Sequence, residues 1–216
     1  MCKMRNSLTV ALLLGLICEG IPLAGAASYE NNFEKTPIGT VPEDFLVVDG
    51  GFAVREMNGN KLLELPGSPL ESFGLLFGPT FQSGQFVSAR ILGTNKGRRV
   101  PTFGVGLNGM PGFKLQVSPG KKKIELLRGD AIVVSSDFEW ESGKWLLLRL
   151  QLSRGTDGSH QVQGKAWLEG GGEPKEWLIQ LPVSELPPAG RAMIIGSPYA
   201  GTPILYDDLK TGLADK

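Results

Sequence analysis

The chain has 216 residues, and 22 Lys and Arg balance 22 Asp and Glu, so its formal charge at pH 7 is zero. The basic clusters are short, Arg98-Arg99 and Lys121-Lys122-Lys123, and this balance argues against nucleic acid as a partner. A chain of this length is expected to form one domain.

The first 26 residues have the three parts of a secretory signal peptide. Lys3 and Arg5 come first, an apolar run follows, and Ala24-Gly25-Ala26 supplies the small residues of a cleavage site. We therefore expect residues 1–26 to be removed and residues 27–216 to form the mature domain. The protein is then exported, either to the periplasm or outside the cell.

The apolar run within this segment is too short to span a membrane. It covers about ten residues, whereas a spanning helix needs roughly 20, and no later stretch is longer, so no transmembrane span is predicted. Both cysteines, Cys2 and Cys18, lie in the segment to be removed. The remaining domain of about 190 residues can bury enough apolar surface to fold without disulfides.

From about Ser28 onward the chain consists of short apolar runs with a period of two, separated by Gly, Pro, Asn and Asp. This pattern is typical of an all-β sandwich or barrel. Two packed antiparallel sheets accommodate this many strands better than one flat sheet. The candidate strands are FLVVDG, GFAVREM, KLLELPG, SFGLLFG, GQFVSARILG, PTFGVGLNG, FKLQVS, KKIELLRG, AIVVSS, WLLLRLQLS, HQVQGKAWLEG, EWLIQLP, RAMIIG and ILYDDLKTG.

Three segments between these strands have the residues that tight hairpin turns require. They are Asn58-Gly59-Asn60, Pro119-Gly120 and Arg128-Gly129-Asp130. Gly and Asn adopt the positive φ angles of such turns at low cost. We therefore expect the strands on either side of each segment to pair as antiparallel neighbours.

The segment from Lys144 to Gly170 predicts the most informative hairpin. Leucines at every second position of its first strand face the core, and the alternate residues face the other side. A loop of about five residues places Trp145 opposite Trp167 and Arg149 opposite Gln163. One outer face of the sheet is then aromatic and amphipathic. The core-facing leucines are Leu146, Leu148, Leu150 and Leu152.

Several segments along the mature chain resemble the concanavalin A-like lectin and glucanase sandwiches, especially the laminin-G-like domains of exported bacterial proteins. The matching pieces are NNFEKTPIGTVPEDF, GGFAVREMNGNKLLEL, GKWLLLRLQL, KAWLEG followed by EPKEW, and ILYDDLKTG. The resemblance implies a two-sheet antiparallel jelly roll whose first and last strands pair and whose concave face is the usual ligand face. Fold alone does not assign a function.

Glucanases of this fold use a Glu-x-Asp-x-x-Glu strand motif, which this chain lacks, so we assign no catalytic residue. The nearest candidates are the alternating Asp137, Glu139 and Glu141, which run directly into a predicted turn at Ser142-Gly143. Retaining hydrolysis needs two carboxyl groups about 5 Å apart, whereas acidic residues near turns are usually solvated. A surface loop is therefore the preferred interpretation of this trio.

The closing strand contains an aspartate that shares parity with apolar residues. Asp207 is predicted to point to the same side as Leu205 and Leu209, and a buried carboxylate needs a cation or several donors. Two interpretations remain open. Asp207 binds Ca²⁺ together with Glu34 from the opening strand, or it is a hydrogen-bonded aspartate that holds the chain ends together.

The tryptophans and neighbouring polar residues predict a sugar-binding face, because sugars stack their CH faces on aromatic rings and bond through their hydroxyls. The alternative is that these rings are structural. Trp140, Trp177 and Tyr199 are further candidate stacking residues. The proposed ligand-binding residues are Trp145, Trp167, Arg149, Gln163, Gln151 and Lys165.

These observations predict an exported, non-catalytic binding domain for a glycan or a cell-surface partner. A structural or interaction domain without a small-molecule site is the first alternative. The second is a polysaccharide hydrolase or lyase whose acid pair is not recognised in the sequence.

Overall fold

The computed structural model describes residues 28–68 and 71–214, which form fifteen β-strands and one 3-10 turn, Pro119–Lys121. All fourteen predicted strands are present, and a short opening strand adds a fifteenth. The strands are β1 Tyr29–Asn31, β2 Leu46–Asp49, β3 Ala53–Met57, β4 Asn60–Leu65, β5 Phe73–Phe81, β6 Gln85–Leu92, β7 Thr102–Leu107, β8 Phe113–Ser118, β9 Lys123–Arg128, β10 Ala131–Asp137, β11 Trp145–Arg154, β12 His160–Leu168, β13 Ile179–Val183, β14 Gly190–Ser197 and β15 Ile204–Leu213.

The strands form two antiparallel sheets packed face to face as a jelly-roll sandwich, which confirms the predicted fold class. An eight-stranded sheet has the order β13-β12-β11-β6-β15-β4-β3, with β1 also paired to β15. A seven-stranded sheet has the order β10-β9-β8-β7-β14-β5-β2. The first and last strands therefore pair, as the resemblance implied.

The core lies between the sheets and is formed by the side chains of one parity from each strand. The four leucines of β11 that were predicted to face inward are all buried. Each fully buried leucine contributes about 2 kcal/mol. The sheets also touch through polar groups, since the Tyr206 hydroxyl on β15 donates to the Ile195 carbonyl on β14 at 2.9 Å.

The three predicted turns all join antiparallel neighbours, β3 to β4, β8 to β9 and β9 to β10. In the first, Met57 pairs with Asn60, so Asn58 and Gly59 are the two turn residues. Both have positive φ, 54° and 80°, as a type I′ turn requires. These local signals set the register of their strands.

The register predicted for the β11–β12 hairpin is wrong by two residues. The five-residue loop was correctly expected, but Arg154 pairs with His160, so Leu147 lies opposite Trp167 and Arg149 opposite Lys165. Trp145 instead accepts a hydrogen bond on its carbonyl from the Glu169 amide. A shift of two residues preserves which face each side chain occupies, so the aromatic face survives the correction.

The predicted parity of Asp207 is also wrong in one respect. Asp207 lies opposite Arg90 and shares the outer face of the eight-stranded sheet with Leu205, whereas Leu209 belongs to the core. A β-bulge between them changes the parity, and Asp208 within it has a φ of 49°. An extra residue in one strand reverses the alternation beyond it.

The predicted signal peptide, residues 1–26, lies outside the described residues and stays a prediction. No helix within the described part of the chain is long and apolar enough to cross a membrane.

Candidate functional site

The outer face of the eight-stranded sheet contains a cleft of about 460 Å³, which we call the outer cleft. Strands β6, β11, β12 and β15 and the loop after β12 contribute to it. Of the six predicted ligand-binding residues, Arg149 and Trp167 line it. Six of its lining residues are Phe86, Ser88, Arg149, Trp167, Glu173 and Asp208.

Arg149 lies in the outer cleft with its donors uncommitted. Its guanidinium stacks over the Phe86 ring at 4.2 Å from the centroid, which fixes the plane of the group. Its Nε lies 3.8 Å from a Glu173 carboxylate oxygen, too far for a hydrogen bond. Among the described residues, Arg149 donates no hydrogen bond, so its N–H groups are available to a ligand.

Trp145 and Trp167 both lie on the outer face rather than in the interior, and both are partly buried. Trp145 is capped by Arg90, whose guanidinium carbon sits 4.5 Å from the ring centroid. A cation–π contact of this kind occupies the ring face that a sugar would need. Trp167 lines the outer cleft and is the ring available for stacking.

Arg90 links β6 to β15 and to the end of β12. It donates to Asp207 and, at 2.6 Å, to Glu169, and its Nε lies 3.2 Å from an Asp208 carboxylate oxygen. Burial acts against its charge, but the hydrogen bonds to Glu169 and Asp207 outweigh that effect and raise the pKa of Arg90. The group therefore stays cationic and holds one wall of the cleft in place.

Lys165 is buried beneath the loop that follows β12 and supports the cleft from outside it. Its Nζ donates to the Pro174 carbonyl at 2.9 Å, ion-pairs with Glu173 at 2.7 Å and lies 4.3 Å from the Trp177 ring centroid. These contacts hold the loop against the sheet and place the Glu173 carboxylate at the cleft.

The two predicted glutamines are part of the strand ladder. Gln163 on β12 donates to Gln180 on β13 at 3.2 Å, and Gln151 is buried opposite it on β11. Neither lines the outer cleft. The Gln163 side chain links β12 to β13.

Asp207 has a side chain that is only 2% exposed, and its carboxylate is occupied by protein donors. One oxygen accepts from Arg90 and, at 2.8 Å, from Asn60, and the other accepts from the Asp208 amide. Glu34 is exposed and accepts from the Lys61 amide at 3.0 Å. These contacts favour the hydrogen-bonded interpretation of Asp207 over Ca²⁺, although they join β15 to β4 and β6 rather than the chain ends.

Within residues 28–68 and 71–214, no three His, Cys, Asp or Glu side chains are grouped so that they could hold a metal ion. The acidic trio that begins at the last residue of β10 is exposed, with Asp137 and Glu139 side chains 93% and 89% accessible. Asp137 pairs with Lys123 at 2.6 Å, and Glu139 lies 3.9 Å from Lys122. This arrangement is that of solvated surface charges.

Sequence reasoning missed the contributions of β6, of the loop after β12 and of β15. The alternation of Phe86, Ser88 and Arg90 is visible in the sequence, but it does not indicate that β6 pairs with β11. Glu173 and Asp208 come from a loop and a bulge, whose side-chain directions no periodic pattern predicts.

The described residues have the concanavalin A-like lectin and glucanase fold. The solved structures similar to it include the carbohydrate-binding module CBM66 from Bacillus subtilis, with a TM-score of 0.52 and 10% identity over 77% of this chain and 94% of that one. The carbohydrate recognition domain of Emp47p matches with a TM-score of 0.56 and 12% identity, over 89% and 99% of the two chains.

A β-1,3-1,4-glucanase (lichenase) from a mouse hindgut metagenome matches with a TM-score of 0.54 and 11% identity, over 87% of this chain and 99% of that one. At such identities the shared feature is the fold. No protein-family model matches the chain, and the search of curated proteins found no significant match.

Proposed function

We propose that the protein is an exported, non-catalytic carbohydrate-binding domain that holds a sugar ring in the outer cleft. The observation that supports this most directly is the position of Arg149, with uncommitted donors, in the same cleft as the Trp167 ring. An aromatic ring for the CH face and fixed donors for the hydroxyls are what sugar recognition requires.

The remaining lining residues complete this chemistry. Asp208 and Glu173 supply carboxylate acceptors, and Ser88 supplies a hydroxyl that both donates and accepts. Donors and acceptors within one cleft can pair with several sugar hydroxyls at once. The names of two similar structures, a carbohydrate-binding module and a carbohydrate recognition domain, support this class of ligand.

A glycan array followed by titration calorimetry on the best glycan tests the proposal. Replacing Trp167 by Leu keeps an apolar side chain but removes the aromatic stacking face, and we expect the affinity to fall by about tenfold or more. Trp167→Phe is the matched control and should retain most of the binding. Arg149→Gln should also weaken binding, because it removes the positioned donors.

The outcomes separate the alternatives. No binding to any glycan by the native protein would refute the proposal and favour an interaction domain without a small-molecule site. Binding that is unchanged in both Trp167→Leu and Arg149→Gln would place the site elsewhere. Release of reducing ends from a bound polysaccharide would instead support the enzyme class.

A further inference from the structure

A second groove, of about 330 Å³, lies on the outer face of the opposite, seven-stranded sheet. Its lining differs from that of the outer cleft, because its exposed apolar side chains are not aromatic. Val48 on β2 and Met110 in the β7–β8 turn are exposed and line the groove. Ile195 of β14 and Leu127 of β9 also line it. Gly74 pairs with Ile195 and leaves space without a side chain.

The groove contains a buried cation with a weak partner. Lys114 of β8 has a side chain that is only 6% exposed, and it pairs with Leu127 across the strand. Its Nζ donates to Asp130 at 3.1 Å, its one hydrogen-bond acceptor among the described residues. Asp130 sits on the two-residue β9–β10 turn with its side chain 99% exposed.

The two partners of this ion pair differ in burial, and the difference matters for ligand binding. The ammonium of a buried lysine needs an anion, because desolvation of its charge is costly. An almost fully exposed carboxylate is a weak partner, because water screens its charge. A ligand carboxylate that enters the groove can therefore replace Asp130 at Lys114, while Asp130 returns to water.

We propose that this second groove binds an aliphatic carboxylate, with the acid group on Lys114 and the hydrocarbon chain across the sheet toward β2. The sheet order places β7, β14 and β5 between β8 and β2, so the path spans about 19 Å at the usual strand spacing. Asp49, the other carboxylate at the groove, lies on β2 at the far end and does not compete for Lys114.

The aromatic residues at this groove do not suit a sugar. Phe73 is 9% exposed and Phe103 is fully buried, and both belong to the hydrophobic core between the sheets. An aliphatic chain needs only an apolar surface, which Val48, Met110 and Ile195 provide. The two surfaces therefore take different ligands, and this inference does not depend on glycan binding in the outer cleft.

Calorimetric titration with decanoate, and with decanol as the uncharged probe of equal chain length, tests the inference. Decanoate should bind the native protein and decanol should bind at least about tenfold more weakly, because it lacks the charge-assisted bond to Lys114. Lys114→Met should remove this preference. Asp130→Asn should bind decanoate about threefold more tightly, because it removes the competing carboxylate.

The Lys123–Asp137 pair is the matched control, since it joins a lysine to an exposed carboxylate on the same sheet and does not line the groove. Lys123→Met and Asp137→Asn should leave decanoate affinity unchanged. Equal binding of decanoate and decanol, no binding of either, or no gain in Asp130→Asn would overturn the inference. Because Asp130 is on the surface, its variant keeps the test valid if Lys114→Met does not fold.

Discussion

Arg90 of β6 and Asp207 of β15 form an ion pair in which the carboxylate is nearly buried and the guanidinium stays partly accessible. Asp207 also accepts from Asn60 and from the next amide in the chain, so both of its carboxylate oxygens are hydrogen-bonded. Arg90 lines the outer cleft and also stacks over the Trp145 ring. The ion pair should therefore affect both the stability of the sheet and the shape of the cleft.

Replacing Asp207 by Asn leaves Arg90 without its most buried partner and should lower the free energy of unfolding by about 3 kcal/mol. Urea denaturation monitored by tryptophan fluorescence measures this change. The control is Glu64→Gln in the exposed Arg55–Glu64 pair, which should cost less than about 1 kcal/mol. Similar losses in the two variants would show that burial does not strengthen the Arg90–Asp207 pair.

The raised pKa of Asp208 predicts that the free energy of unfolding depends on pH. Its pKa is raised, first because burial disfavours the charge and then because the Asp207 carboxylate is close, with Arg90 offsetting part of the effect. The folded protein therefore holds this proton more tightly than the unfolded chain, and the ionised carboxylate lowers stability above the folded-state pKa. As the pH falls through that pKa, the loss disappears.

Asp208→Asn should accordingly raise the free energy of unfolding at neutral pH, with a smaller gain at about pH 3. Asn tolerates the left-handed backbone at this position. The control is the exposed Asp157, whose pKa is lowered by hydrogen bonds from the Ser159 side chain and backbone. Asp157→Asn should lower stability at neutral pH and change it less in acid, so the same sign in both variants would contradict this assignment.

If residues 1–26 are a signal peptide, as the sequence predicts, a specific processing product is expected. When the full chain is produced in a secreting bacterial host, intact-mass spectrometry of the exported protein should show a chain that begins at Ala27. Ala26→Arg should block this cleavage, because the position requires a small residue. Full-length protein that remains in the cytoplasm of the host would contradict the prediction.

Local and periodic features of the fold could be predicted from the sequence. Alternation in β11 assigned its leucines to the core, and Asn58-Gly59 fixed a hairpin, because both depend on neighbouring residues only. The predicted β11–β12 register was wrong by two residues, because a five-residue loop can begin at more than one position in the sequence. The bulge at Asp208 was not predicted, because a positive φ at a residue other than glycine has no strong sequence signal.

The candidate site was predictable only in part, for the same reason. The shared face of Arg149 and Trp167 follows from parity, but Arg90 covers Trp145 from a strand more distant in sequence. Lys114 lies in the predicted strand FKLQVS, and only the structure shows that its side chain is buried. Contacts between segments distant in sequence determine that Trp167 rather than Trp145 is open to a ligand, and that the Lys114 charge is buried.

The central position of β15 has a consequence for the order in which the molecule can form. This strand pairs with β6 on one side and with β4 and β1 on the other, yet it is the last strand in the chain order. Before residues 204–213 are synthesised, three earlier strands have no partner along these edges. A growing chain therefore cannot close this sheet early. This delay is compatible with the predicted export, because a chain must be incompletely folded to pass through a narrow translocation channel.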